Sequence, residues 1–242
     1  MIALALAAAA GVAAPAVTSL SVSPPRVVLA GAGQMSLRVA ASRPVPVEAA
    51  PAGFALDLRG RPRIVPTAAG GAARWLTVRP RRFVAGPAGT FVTVTMRPPA
   101  AARPGDHDAL LLLTALPPAR LRVDVRARIG VVVSVRVPGP VTRRLELRGV
   151  RVRRRGRLRV LELAVANRGD VTESLRRRRL TVVLMRRGRV FARLLPVARE
   201  LLPRSSGVVE VPYRGRVRGR VTARVVLAGA HGRVVHGYPL RL

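Results

Sequence analysis

Three histidines, eleven carboxylates and a few serines are the side chains in this sequence whose types could do acid–base or metal chemistry. Asp106-His107-Asp108, after Pro104-Gly105, offers one imidazole and two carboxylates, a donor set that a divalent cation accepts. Adjacent residues in a loop do not converge on one ion without ligands from elsewhere, so the segment reads as a polar loop before the apolar run 109–116. His231 and His236 flank Gly232, another turn. Ser205 and Ser206 supply the hydroxyl of a Ser-His-Asp set, but no nucleophile-elbow pattern surrounds them. No phosphate-cradling glycine loop, HExxH or paired-carboxylate setting occurs. The absence of cysteine removes thiol catalysis, Cys-ligated zinc and iron–sulfur clusters. The expectation is no enzyme, no cofactor and no metal. Only convergence of His107 with another His or a distant carboxylate would revive catalysis.

Arg168-Gly169-Asp170, within VANRGDVTESL, spells an adhesion tripeptide. Asn167 and Gly169 supply turn geometry, and an aspartate hydrogen-bonds its own backbone. The alternating residues Leu161, Leu163 and Val165 lead into it. It reads as a turn at a strand end.

These groups have to be positioned by strands. Half of the chain, 49%, is apolar and only 3% is aromatic, so a core must be built from Val, Leu and Ala. The 22 glycines and 21 prolines punctuate strand-sized runs such as QMSLRVA, RWLTV, TFVTVTM and ALLLLTAL. The clearest is LRVDVRARIGVVVSVRV, residues 121–137. Leu121, Val123, Val125, Ala127, Ile129, Val131, Val133, Val135 and Val137 share one parity, and a period of two is a strand signal. Gly130 near its middle marks a candidate bend through which one strand serves two sheets. Downstream, RLRVLELAVAN, RLTVVLM, GVVEVPY and RVTARVVLAG repeat the texture. Pro138-Gly139-Pro140 cannot continue a ladder and separates the halves. The fold class expected is all-β: two immunoglobulin-like β-sandwich domains in tandem, at 17–138 and 141–242.

Residues 1–16 are expected to be a signal peptide. About a dozen small apolar residues form a stretch too short to span a bilayer, and Ala14-Pro15-Ala16 fits cleavage before Val17. No basic residue precedes the run, which a start codon set too far downstream would explain. The protein is therefore expected outside the cytoplasm, secreted or associated with the cell envelope, with no transmembrane helix in the mature chain.

All 44 basic residues are Arg, against 11 acids, for a formal charge of +33. Residues 1–140 hold 17 Arg and 5 acids, and residues 141–242 hold 27 and 6. Such charge attracts nucleic acid, anionic polymers or anionic membrane surfaces. A GC-rich coding bias towards Arg, Ala, Gly, Pro and Val produces the same composition, and the aromatic stacking platforms of nucleic-acid binders are missing. Arg151, Arg153, Arg154, Arg155, Arg157 and Arg159 cluster around Gly156, and Arg176 to Arg179 form a second run. On one face they would seek phosphates. Scattered over tips and edges they would keep strands from pairing with other chains.

SVSPPRVVLAGAGQMSLRVAAS, RWLTVRPRRFVAGPAGTFVTVTM, RPGDHDALLLLTALPP and RIGVVVSVRV together resemble the N-terminal immunoglobulin-like domain of exported bacterial proteins. That group includes the PapD-type pilus chaperones, sperm-protein-like domains and the first domain of WxL-interacting cell-wall proteins. LELAVANRGDVTESL with RELLPRSSGVVEVPYRGRVRGRVTARVVL resembles the second sandwich of the WxL-interacting proteins. The chaperone resemblance implies two basic residues that anchor a subunit's terminal carboxylate. Arg26 on the first strand, with Arg122, Arg126 or Arg128 on the last, stands in the matching places.

The leading expectation is a non-enzymatic envelope protein that binds a surface protein or an anionic wall polymer, through residues the sequence does not name. The alternative is a chaperone-like protein that donates an alternating edge strand, 121–137 or 91–96, to an exported subunit. The third is a basic nucleic-acid-binding protein.

Overall fold

The structure is a computed structural model, and it describes residues 19–66, 71–116, 127–156, 158–176, 179–229 and 232–242. The expected signal segment 1–16, and Arg122, Arg126, Arg157 and His231, lie outside the described residues.

Nineteen strands are described. The first ten are β1 (Leu20–Ser23), β2 (Arg26–Ala30), β3 (Gly33–Ala41), β4 (Val45–Leu56), β5 (Pro62–Val65), β6 (Leu76–Arg79), β7 (Arg82–Ala85), β8 (Thr90–Met96), β9 (Gly105–Ala115) and β10 (Arg128–Val137). They form two facing sheets, ordered β1-β3-β8-β6 and β2-β10-β9-β4-β5, with β7 also on β4. Alternation sets their faces. Val92, Val94 and Met96 of β8 and Val131, Val133 and Val135 of β10 point into one core with Leu37, Leu111 and Leu113.

The other nine are β11 (Leu145–Arg155), β12 (Leu158–Asn167), β13 (Glu173–Leu175), β14 (Leu180–Arg186), β15 (Arg189–Leu194), β16 (Arg199–Leu201), β17 (Ser206–Tyr213), β18 (Arg220–Gly229) and β19 (Gly232–Arg241). A β11-β12-β17 sheet packs on a β15-β14-β18-β19 sheet, with the short pair β13-β16 at the side. Leu161, Leu163, Leu184, Val209, Val211 and Val225 fill a second core. The chain is all-β, in two immunoglobulin-like sandwiches; the helical element among the described residues is the 3-10 turn Ala72–Trp75.

Two local expectations need correction. The switch between sheets occurs at the start of the first domain, not at Gly130. β1 pairs antiparallel with β3 in one sheet, and β2 pairs parallel with β10 in the other. Pro24 and Pro25 stand between them and lack the N–H groups that would continue either ladder. At Gly130 the β9–β10 register runs on unshifted, Gly130 opposite Leu112. The glycine is there for contact: a Cβ would lie 3.0 Å from Leu110 Cδ1. Residues 91–96 are also not an edge. β8 lies between β3 and β6, and Thr93 to Met96 are paired on both sides.

Candidate functional site

The two sandwiches enclose a cleft of about 610 Å³, and five arginines line it: Arg26, Arg59, Arg61, Arg155 and Arg199. Phe54, Leu56, Val132, Val197 and Leu202 supply an apolar floor, and Glu200 and Glu210 are the acids. Each wall follows from local sequence.

Arg26 is the first residue of β2, opposite Val132 of β10. Its Nη1 donates to Glu200 Oε2 at 2.9 Å across the domain junction. Because β2 begins only there, Arg128 to Val131 of β10 have no neighbour on that side among the described residues. Arg128 turns away from the cleft, donating from Nε to Thr114 Oγ1 at 3.3 Å. The expected second anchor is therefore not assembled from Arg128.

Arg59 and Arg61 sit on the turn between β4 and β5, which Asp57 builds. Its Oδ1 accepts the N–H groups of Arg59 at 2.8 Å and Arg61 at 2.9 Å. The Arg61 N–H does most to hold the Asp57 carboxyl below its ordinary value, against burial and with help from Arg59. The turn docks on the second domain. Val208 N–H donates to Leu58 O at 2.7 Å, and Arg199 Nη2 donates to Asp57 O at 2.9 Å. Gly60 has φ +84° and closes against Arg199, whose guanidinium a Cβ would overlap. Burial pulls the Arg199 pKa down, with the charge of Asp57 opposing, and its Nε is buried without a partner.

Behind the cleft, Arg59 reaches Glu162 at 3.3 Å and Glu210 at 2.9 Å. Glu162 also meets Arg151 at 2.7 Å and Arg153 at 3.6 Å, and Glu210 meets Arg155 at 2.6 Å. On β11 these three arginines share one parity, so a single sheet face presents them to the two acids. Three arginines of the tip cluster are thus held by acids within the fold. Arg154 lies on the other parity, and Arg159 is buried on the inner one with Nε unsatisfied. In the second run Arg179 pairs with Glu173 at 3.7 Å and Arg176 with Ser174 at 3.0 Å.

A second junction joins β9 to the Arg-Gly-Asp bend. Asp106 N–H donates to Asp170 O at 2.8 Å, and Thr172 N–H donates to Asp106 Oδ2 at 2.8 Å. Burial would raise the Asp106 carboxyl, but Arg136, donating at 2.6 and 2.9 Å, and the Thr172 N–H hold it below its ordinary value. Asp170 takes Arg204 at 2.8 Å and the N–H of Thr142 at 3.2 Å. The tripeptide's carboxylate is thereby spent inside the molecule.

The His107 ring packs against Trp75, centroids 4.8 Å apart and planes tilted by 57°, and its Nε2 meets Arg103 O at 2.8 Å. His236 lies beside Tyr238, and Ser205 Oγ donates to Leu202 O at 2.7 Å. No group of three metal-ligating side chains exists among the described residues. Sequence reading missed Arg59, Arg199, Glu200 and Glu210. Glu162 left a signal, an acid between Leu161 and Leu163 in the mostly apolar run 160–166.

No protein-family model matches the chain, and no curated protein matches it. Solved structures do. The chaperone–tip adhesin complex of CFA/I fimbriae biogenesis aligns over 90% of this chain and 98% of its own, at 10% identity and a TM-score of 0.52. The class 5 fimbriae chaperone CfaA aligns over 90% and 98%, at 11% identity and a TM-score of 0.49. The E. coli chaperone DraB aligns over 93% and 98%, at 15% identity and a TM-score of 0.44. With its paired sandwiches, the chain shares the all-β, immunoglobulin-like fold of that chaperone–tip adhesin structure.

Proposed function

We propose that this protein is an exported, chaperone-like binder that takes an extended strand of another envelope protein along β10 and its terminus in the cleft. It acts by binding, not catalysis. Its signal segment ends before Val17, and its domains divide at Pro138–Pro140. Of the three binding readings drawn from the sequence, the geometry favours this one over a wall-polymer or nucleic-acid ligand, and the fold likeness to a fimbrial chaperone structure agrees with it.

The observation that carries the reading is the lane beside Arg128 to Val131 of β10, which none of the described residues fills. β2 runs parallel to β10 but starts at Arg26, opposite Val132. A partner strand entering beside Arg128 to Val131, parallel to β10, would end where β2 begins. Its terminal carboxylate would meet the Arg26 guanidinium, which now holds Glu200. Main-chain hydrogen bonds would supply affinity, and the half-buried Ala127 and Ile129, continuing the alternation read from Leu121 onward, would supply side chains to the partner's core.

The test is purification of the tagged chain from the envelope of its own host. A stoichiometric protein partner is expected, with its yield reduced at least about tenfold by Ile129→Asp and by Arg26→Glu, since truncating a desolvated charge pair costs about 2–5 kcal/mol. Wild-type protein recovered alone from every envelope fraction would refute the reading.

A further inference from the structure

The β15-β14-β18-β19 sheet contains no acid in any of its four strands, yet its strands and the turn between β14 and β15 carry Arg186, Arg187, Arg189, Arg193, Arg220, Arg224, Arg233 and Arg241. All eight are exposed, and none makes a side-chain hydrogen bond or ion pair among the described residues. This contrasts with β11, where Arg151, Arg153 and Arg155 are matched to Glu162 and Glu210.

Register places most of them on one side. Val221, Ala223, Val225 and Leu227 of β18 face the core, so Arg220, Thr222, Arg224 and Val226 face out. Arg220 stands opposite Arg241, and Val226 opposite Val235. Arg224 is opposite Val183 of β14, which is opposite Arg193 of β15. The outer face therefore carries Arg193, Arg220, Arg224 and Arg241 with Val183, Val226, Val235 and Pro239 among them. On this face Val235 is 52% exposed, and Val190, opposite Met185 and through it Thr222, is 49% exposed.

At one end the face dips into a hollow of about 470 Å³, lined by Arg186, Arg187, Arg220 and Arg241 around Thr222 and Pro239. The β14–β15 turn beside it has Arg187 at φ 50° and Gly188 at φ 80°. A two-residue turn with positive φ at both positions favours Asn-Gly. An arginine at the first position adds a guanidinium to the rim at a conformational cost.

We infer that this outer face docks on an anionic phospholipid bilayer, with the Arg186–Arg187–Arg220–Arg241 hollow receiving a headgroup phosphate. Charge complementarity selects an anion, and planar guanidinium groups match phosphate oxygens. The distribution selects a surface over a polymer chain. The arginines spread over strands β15, β18 and β19 in two dimensions, with exposed valines between them that a soluble polyanion has no use for. The inference does not rest on strand binding: β10 and the cleft belong to other sheets.

Vesicles of phosphatidylcholine with or without phosphatidylglycerol, sedimented with the full chain, test it. Wild type is expected to bind only the anionic vesicles. Arg193→Gln, Arg220→Gln, Arg224→Gln and Arg241→Gln combined should weaken partitioning on the order of a hundredfold. The same charge change made at Arg63, Arg79, Arg81 and Arg97 of the first domain should weaken it several-fold at most. Val235→Ser alone should lower the fraction that survives high salt. Equal losses from the two fourfold variants would assign binding to net charge and overturn the proposal. So would polyphosphate that displaces the protein from vesicles at equal phosphate concentration.

Discussion

Glu162 and Glu210 stand directly opposite each other on β12 and β17, and Arg59 from the other domain joins them at 3.3 and 2.9 Å. Two like charges in register destabilise a sheet, so this pair depends on the arginines around it.

That dependence sets a response to acid. Burial would raise the Glu162 carboxyl, but the Arg151 hydrogen bond and the charges of Arg151, Arg153 and Arg59 hold it below its ordinary 4.5. A depressed carboxylate stabilises the fold fully above the unfolded value and loses that contribution as pH falls through the folded one. Glu162→Gln should cost about 1–3 kcal/mol at neutral pH. The difference from wild type should shrink below pH 4.5, as read by urea denaturation over a pH series. A difference that is constant with pH would contradict the assignment.

Asp108 works in the opposite sense. Burial raises its carboxyl above 3.8, while the Ser134 hydroxyl, donating at 2.5 Å, and the charge of Arg26 oppose the rise. The folded state then holds the proton more tightly than the unfolded state, so stability falls as pH rises from 3.8 through the folded value. Asp108→Asn should be more stable than wild type at pH 7 by on the order of 1 kcal/mol, with the gain vanishing in acid. Thermal melts at both pH values check it.

Asn167 is fully buried, and its Nδ2 donates to the carbonyls of Val171, Leu201 and Leu202 at 2.8, 3.1 and 3.1 Å. Its Oδ1 accepts the Gly169 N–H at 2.9 Å. Asn167→Ala leaves these groups without partners and should cost about 2–4 kcal/mol. It should also loosen the Asp106–Asp170 junction, visible as faster amide exchange at Asp106 and Thr172.

Glu200 competes for Arg26. The pair is about 40% exposed on each side, so breaking it should change stability by about 0–1 kcal/mol. Glu200→Gln should instead tighten binding of an alternating Val-Thr peptide with a free C-terminus several-fold, and leave its amidated form unchanged. Titration calorimetry with both peptides distinguishes the cases. Equal affinities would remove Arg26 from the cleft's role.

Strand identity was legible in residues such as Val131, Val133 and Val135, because alternation is local and a pleated strand sends neighbours to opposite faces whatever lies across from it. The end of β10 at Val137, before Pro138, was legible for the same kind of reason, a missing N–H. The turn at Arg168-Gly169-Asp170 was readable too, but its partners Asp106 and Thr142 were not. Which strand is an edge was decided only in three dimensions. Residues 91–96 alternate as well as 128–137 do, yet β8 is enclosed, while among the described residues part of β10 has a neighbour on one side only. Sheet order joins residues far apart in the chain, and no local pattern encodes it. The same holds for charge. Composition determined that arginine would be in excess, while the fold decided which arginines meet an acid and which are left to face solvent. Electrostatic energy depends on distances between groups, and those exist only once the two sandwiches are packed.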